Sequence, residues 1–376
     1  MKVAVITFYN NNNYGSVLQM YALTKYIESK GHDVCVFDFL NMNVPVFRLL
    51  RVKTAISRFF GLVKVPSFFR YRSLSIEDNI MMETREKYQE FYSTRFDYYS
   101  QKYKRLDDVE MYVAGSDQVW NIQIPNLHYV FFMRFIGRNK RMSYAASFGS
   151  DHIPQYNRKR LKKYLSEIDN ISVRETTGVN IVEDVCGKEA KVVLDPVLLV
   201  GRDFWDKRAC NVIQGKYVFC YFLDKSDLIN EAIDRISAAY HGKVSFVYAD
   251  TGVQIDNCVK QSLSPFEFIG AIKEAEFVLT DSFHATAFSL LFGKKFYVLE
   301  RQYKIRPEQA DRIISILRST NTNNRYICNS SDFDRMRLDT PYDIEYINDF
   351  FQKERISSEL YLQNAISGKT EKNYVM

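Results

Sequence analysis

The sequence predicts an α/β protein made of two doubly wound parallel halves, joined near residues 201–215. Three observations predict it. Short apolar runs alternate with segments of helical period almost from end to end. A chain of 376 residues has room for two domains of roughly 100–200 residues each. The 46% hydrophobic and 26% charged composition is that of a globular chain, with no apolar run of about 18 residues to span a membrane.

The first strand is Lys2–Tyr9, which reads as a buried strand and not as a signal peptide. After an Asn-rich turn, a helix runs from about Ser16 to Lys30, with Val17, Leu18, Tyr21, Ala22, Leu23 and Ile27 on one stripe. Gly31 ends it, and His32–Phe39 is the second strand. This strand–helix–strand unit opens a parallel sheet. Residues 40–105 break the rhythm and read as a mostly helical insertion. The series resumes with strands at Glu110–Ala114 and Arg141–Ser147, a helix at Tyr156–Ile168, a strand at Asn170–Arg174, a helix at Thr177–Cys186 and a strand at Lys191–Leu194. Gly201–Gly215 reads as a linker.

The second series comprises strand Tyr217–Leu223, helix Lys225–Tyr240, strand Lys243–Tyr248, helix Pro265–Ala275, strand Phe277–Thr280, helix His284–Phe292, strand Lys295–Leu299 and helix Pro307–Ser319. Asp343–Ile366 is a long terminal helix or helix pair. The expected domains are 1–200 with the insertion, 216–342, and a helical segment over 343–376.

Composition also excludes classes of function. The six cysteines are widely spaced, with no C-x-x-C pair and no zinc spacing, so reduced thiols in a cytoplasmic protein are expected, with no bound metal. A net charge of +6 is mild. It fits an anionic substrate or a membrane surface better than nucleic acid.

Doubly wound halves place ligands at the carboxyl ends of their strands. The loop Asn10–Ser16 follows a strand and opens a helix; Gly15 permits close approach and Ser16 can cap. The alternative is a plain capped turn, and no nucleotide-binding fingerprint is present. In Gly115–Asn121, also after a strand, Asp117, Gln118 and Asn121 suit sugar hydroxyls and Trp120 suits a pyranose face. The alternative is an N-cap beside a buried Trp. In Thr280–Thr286, His284 stands at a strand-to-helix junction, where an imidazole can act as general acid or base. Arg174, Lys294, Lys295 and Arg312 are cations at further strand ends or on the flanking helix.

Taken in order, Tyr9–Leu23, Ala114–Asn121, Ser143–Gly149, Ser172–Glu175, Leu194–Pro196 and Thr280–His284 resemble the polysaccharide pyruvyltransferase family over roughly residues 1–320. The resemblance implies a glycosyltransferase-B-like pair of Rossmann-like halves. It implies transfer of pyruvate from phosphoenolpyruvate to a saccharide as a cyclic ketal, with no cofactor beyond that donor. It places the essential His at His284 and cations around the donor, here Arg174, Lys295 and Arg312. Some members carry an Arg where this chain has Ser282, so another cation has to serve. The acceptor is then expected at Asn13, Tyr14, Ser16, Gln19, Asp117, Gln118, Trp120 and Asn121. Two other functions stay open on this scaffold, a nucleotide-sugar glycosyltransferase and a non-catalytic saccharide-binding protein.

From Leu40 to Ile76 there is no Asp or Glu, while Arg48, Arg51, Lys53, Arg58, Lys64, Arg70 and Arg72 interleave with aromatic and aliphatic residues. Such a segment suits an anionic membrane surface. The expected setting is therefore cytoplasmic and peripheral on the inner membrane face. The expected acceptor is a lipid-linked precursor of a capsule or exopolysaccharide. The alternative is a packed helical pair.

Overall fold

The structure is a computed structural model that describes residues 1–9, 12–38, 80–99, 108–121, 128–136, 140–301, 311–335, 338–339 and 341–368. Strands β1 (Lys2–Ile6), β2 (Asp33–Phe37), β3 (Tyr98–Tyr99), β4 (Met111–Asp117), β5 (Lys140–Ala146), β6 (Ser172–Val173) and β7 (Lys191–Val192) form one sheet in the order β3-β2-β1-β4-β5-β6-β7. Strands β8 (Tyr217–Tyr221), β9 (Ser245–Ala249), β10 (Val259–Gln261), β11 (Phe277–Thr280), β12 (Phe296–Leu299) and β13 (Tyr326–Ile327) form a second, in the order β10-β9-β8-β11-β12-β13. The pairings are parallel: Val3 lies between Val34 and Met111, and Phe277 faces Val218. The central strands β1 and β8 are apolar and buried on both faces, as helix-covered parallel strands are. Strands β3, β10 and β13, of two or three residues, are too short for periodicity to reveal.

In each sheet the order reverses once, between β1 and β4 in the first and between β8 and β11 in the second. At such a switch point neighbouring connections leave on opposite faces and open a crevice at the carboxyl ends.

The longer helices are α1 (Tyr14–Ser29), α2 (Met82–Arg95), α3 (Gln155–Leu165), α4 (Thr176–Cys186), α5 (Leu228–Ala239), α6 (Pro265–Glu274), α7 (Phe283–Phe292), α8 (Asp311–Ser319) and α9 (Ile344–Ser367). Two of them join the halves. Helix α1 buries polar Ser16, Gln19 and Thr24 along with its apolar stripe, because it lies between the first sheet and helices of the second half. The Tyr14 ring stacks on Phe268 at 4.3 Å, and its hydroxyl donates to the Leu263 carbonyl at 2.8 Å. Helix α7 is buried along its whole length. One apolar core therefore runs through both halves, including Ile6 and Val17 as well as Phe268 and Phe288.

One expectation changes, and one alternative is decided. The stretch 201–215 is not a loose linker: it contains a short helix, Arg202–Asp206, with Trp205 fully buried and its Nε1 donating to the Val197 carbonyl at 2.7 Å. The terminal segment is one helix, α9, and it returns to the first half. There Ser358 Oγ accepts from the Leu194 amide and the Tyr361 hydroxyl donates to the Ser143 carbonyl, both at 2.9 Å. Its apolar stripe of Ile347, Phe351, Leu362 and Ile366 has to be covered.

Within the insertion, α2 reaches across to the second half: Thr84 Oγ1 donates to Asp250 at 3.0 Å, and Lys87 to the Ser262 carbonyl at 2.9 Å. The basic stretch 40–76 lies outside the described residues. Among the described residues, no helix is long and apolar enough to cross a membrane.

Candidate active site

The two switch points face each other across a cleft with a volume of about 210 Å³. Phe8 and Asn13 come from the connection after β1, Ser16 from the first turn of α1, and Asp117 and Gln118 from the end of β4. The second half supplies Leu223 after β8, Ser282, Phe283 and His284 after β11, Arg301 after β12, and Arg312 from α8.

Backbone geometry shapes the first-half wall. Asn13, not Ser16, caps α1: its side chain accepts from the Ser16 amide at 3.1 Å. The Ser16 hydroxyl is thereby left to donate to Asp117 Oδ2 at 2.6 Å. Asp117 ends β4 in the left-handed region, with φ of 70°, a conformation Asp tolerates better than most residues. Its Oδ1 accepts from the Gln118 amide at 2.9 Å.

His284 sits in the first turn of α7, 5% exposed. Its ring lies directly over Gly15. A Cβ on that glycine would stand 2.0 Å from Nδ1 and 2.5 Å from Cγ. Its Nε2 faces Asp195 Oδ2 at 3.6 Å, just beyond hydrogen-bond reach.

Behind the histidine lies a buried charge network. Arg174 Nη1 donates to Asp195 Oδ2 at 2.8 Å, with Glu175 at 3.8 Å from Nε and Asp117 at 3.9 Å from Nη2. Its guanidinium carbon lies 4.4 Å from the centre of the Phe283 ring. Burial alone raises the Asp195 carboxyl, but His284 and Arg174 outweigh it and hold the group well below the usual carboxylate range. Asp117 is lowered in the same way, His284, Arg174 and Arg312 overcoming its burial. Glu175 moves the other way, because burial there exceeds the help of Arg174 and Ser147.

Of the two arginines lining the cleft, Arg312 is the less well neutralised. Its nearest carboxylate, Asp117, is 3.9 Å away, and its Nε is buried with no hydrogen-bond partner. The Gln118 amide oxygen accepts from its Nη1 at 3.3 Å. Burial, and then repulsion from Arg174, push its pKa down to about 10. A buried cation in that condition is relieved by an anion in the cleft. Arg301 lies on the same wall, held by Asp281 at 3.0 Å, and Asp281 in turn accepts from the Leu223 and Asp224 amides.

Asn13, Ser16, Asp117, Gln118, Ser282, His284 and Arg312 are thus brought together. Arg174 stands behind them, with only 2% of its side chain exposed; Nη1 is taken by Asp195, while Nε and Nη2 are buried with no hydrogen-bond partner. Trp120 cannot stack on a sugar: it is fully buried, parallel to Phe132 at 5.2 Å, with Nε1 donating to the Phe131 carbonyl. Tyr14 is spent on the joint between the halves, and Gln19 is buried with its amide donating to Thr7 Oγ1 at 2.9 Å. Asn121 is buried with its side-chain amide beside that of Gln118. Lys295 lies outside the cleft because it precedes β12, at the amino end of a parallel strand, and pairs with Asp339 at 2.8 Å on the surface. Arg301, overlooked in the sequence, stands at the other end of that strand. Its signal is its place just after the apolar run Phe296–Leu299.

The order of these motifs along the chain is that of a known family. The model of the polysaccharide pyruvyl transferases matches residues 13–303, which contain every cleft residue except Phe8 and Arg312. The chain belongs to the polysaccharide pyruvyl transferase family. No curated protein matches the sequence. Among solved structures, the transferase is similar to a Listeria monocytogenes protein assigned as a UDP-N-acetylglucosamine 2-epimerase. That match has 11% identity and a TM-score of 0.52, covering 100% of this chain and 98% of the other. It is equally similar to MnaA of S. aureus solved with UDP, at 12% identity and a TM-score of 0.52, covering 98% of each chain. At such identity the likeness is one of fold alone. The transferase has the glycosyltransferase-B-like fold, two Rossmann-like halves about a cleft.

Proposed function

We propose that the chain transfers pyruvate from phosphoenolpyruvate to a saccharide and closes it as a cyclic ketal, with His284 as the general acid and base. The observation that carries this reading is the meeting of His284 with Arg301 and Arg312 where the two switch points face each other. Phosphoenolpyruvate carries a phosphate and a carboxylate, and the two guanidinium groups suit them.

In this mechanism the protonated imidazole gives its proton to the methylene carbon, and C2 becomes an oxocarbenium-like electrophile. A sugar hydroxyl adds to C2 and returns its proton to His284. Phosphate then leaves with the C2–O electron pair and the proton from His284. A second hydroxyl closes the ring and releases its own proton to the imidazole. Asn13, Ser16, Asp117 and Gln118 are the acceptor-side groups, and Ser282 lies on the donor side beside the arginines. The acid-free stretch 40–76 supports an acceptor carried on lipid at an anionic membrane surface.

The test is incubation with phosphoenolpyruvate and a panel of lipid-linked saccharides, following inorganic phosphate and product mass. Phosphate release with a pyruvate ketal in the product is expected. Release of a nucleotide from a nucleotide sugar instead would identify a glycosyltransferase, and binding without turnover would identify a saccharide-binding protein.

A further inference from the structure

We propose that Asp195 is the positioning residue that holds the His284 ring with its proton on Nε2 and leaves Nδ1 to exchange protons with the substrate. The proposal rests on the reading of His284 as acid and base. Asp195 follows β7 in the first half and is fully enclosed, whereas His284 opens α7 in the second half, so the pair forms only when the halves are joined.

Each oxygen of Asp195 is oriented. Oδ1 accepts from the Val197 amide at 3.0 Å, and Oδ2 accepts from Arg174 Nη1 and Ser116 Oγ, both at 2.8 Å. Oδ2 also faces His284 Nε2 at 3.6 Å, and that nitrogen is buried with no hydrogen-bond partner. Contacts of this kind are often long before substrate arrives. A carboxylate at one ring nitrogen favours the tautomer that carries hydrogen there. The other ring nitrogen, Nδ1, lies over Gly15, on the cleft wall that carries Asn13 and Ser16. The other charged groups around the ring are Asp117, Arg174 and Glu175 from the first half, and Arg312, Arg301 and Asp281 from the second. Among the described residues, Asp195 is the carboxylate that comes within 4 Å of a ring nitrogen of His284.

Nitrogen-15 NMR of the full chain with labelled histidine, His284 being assigned by His284→Gln, reads the tautomer directly at a pH where the ring is neutral. The Nε2–H form is expected in the wild type, and dominance of Nδ1–H overturns the proposal even if no variant folds. In Asp195→Asn the preference should be lost. Turnover should fall about 10²–10⁴-fold, while KM for phosphoenolpyruvate stays within about threefold. A folded Asp195→Asn protein with an unchanged tautomer also overturns it. Normal turnover in His284→Ala would instead strike the acid/base reading and leave the tautomer result standing.

Discussion

Replacing Gly15 by Ala adds one methyl group where α1 packs against the His284 ring. Gly15 lies in the first turn of α1 in an ordinary helical conformation, so alanine meets no backbone strain and gains up to about 1 kcal/mol of helix propensity. The new Cβ, however, stands 2.0 Å from His284 Nδ1, 2.5 Å from Cγ and 2.8 Å from Cε1. An ordinary contact begins near 3.4 Å, so the ring must move by roughly 1.4 Å. Overpacking of this kind costs about 1–3 kcal/mol, of which the propensity gain offsets at most about 1 kcal/mol. The melting temperature should therefore move by a few degrees at most. Activity is far more sensitive, since a displacement of about 1 Å at a reacting group costs about 10²-fold. Phosphate release from phosphoenolpyruvate should fall by at least that factor, with thermal unfolding nearly unchanged. Wild-type turnover in folded Gly15→Ala protein would refute the placement of the imidazole over this glycine.

His284→Ala should lower turnover about 10²–10⁴-fold while the protein stays folded; near-normal activity of the purified variant removes the imidazole from the chemistry. Arg301→Ala and Arg312→Ala should each raise KM for phosphoenolpyruvate about tenfold or more, while Lys295→Ala should leave it unchanged; an effect of Lys295 alone would reverse the donor assignment. Because Arg312 loses its proton near pH 10, calorimetric affinity for phosphoenolpyruvate should fall as pH rises through about 10. The fall should be absent in Arg312→Ala, and a flat wild-type profile would contradict the role. The chain should co-sediment with anionic vesicles at low salt, less so when Arg48, Arg51 and Arg58 become Glu; equal recovery in the supernatant with and without vesicles would exclude the surface contact.

Much of this was legible in the residues alone. Alternating apolar runs and helical stripes report local burial, so the two series and most of their strands could be read directly. The rule that ligands gather at carboxyl strand ends picked out Asn13, Ser16, Asp117, Gln118 and His284, because a polar cluster just after an apolar run is a local signal. Gly15 was also marked locally, as a residue that permits close approach.

What touches that glycine was not legible. His284 lies 269 positions away in the chain, and only the packing of α1 against α7 brings them together. The same holds for Asp195, whose Leu194–Pro196 signature reads as a strand end and turn until Arg174, Ser116 and His284 converge on it. Trp120 and Lys295 show the converse. Residue type suggested a sugar platform and a donor cation, yet indole burial and strand direction decided otherwise. The sequence by itself determined the order of strands and helices and the motifs at their ends, because those depend on neighbours a few residues apart. The tertiary structure alone decided which of those ends meet and which polar groups keep access to the cleft, because burial and Coulomb partners depend on distance in space.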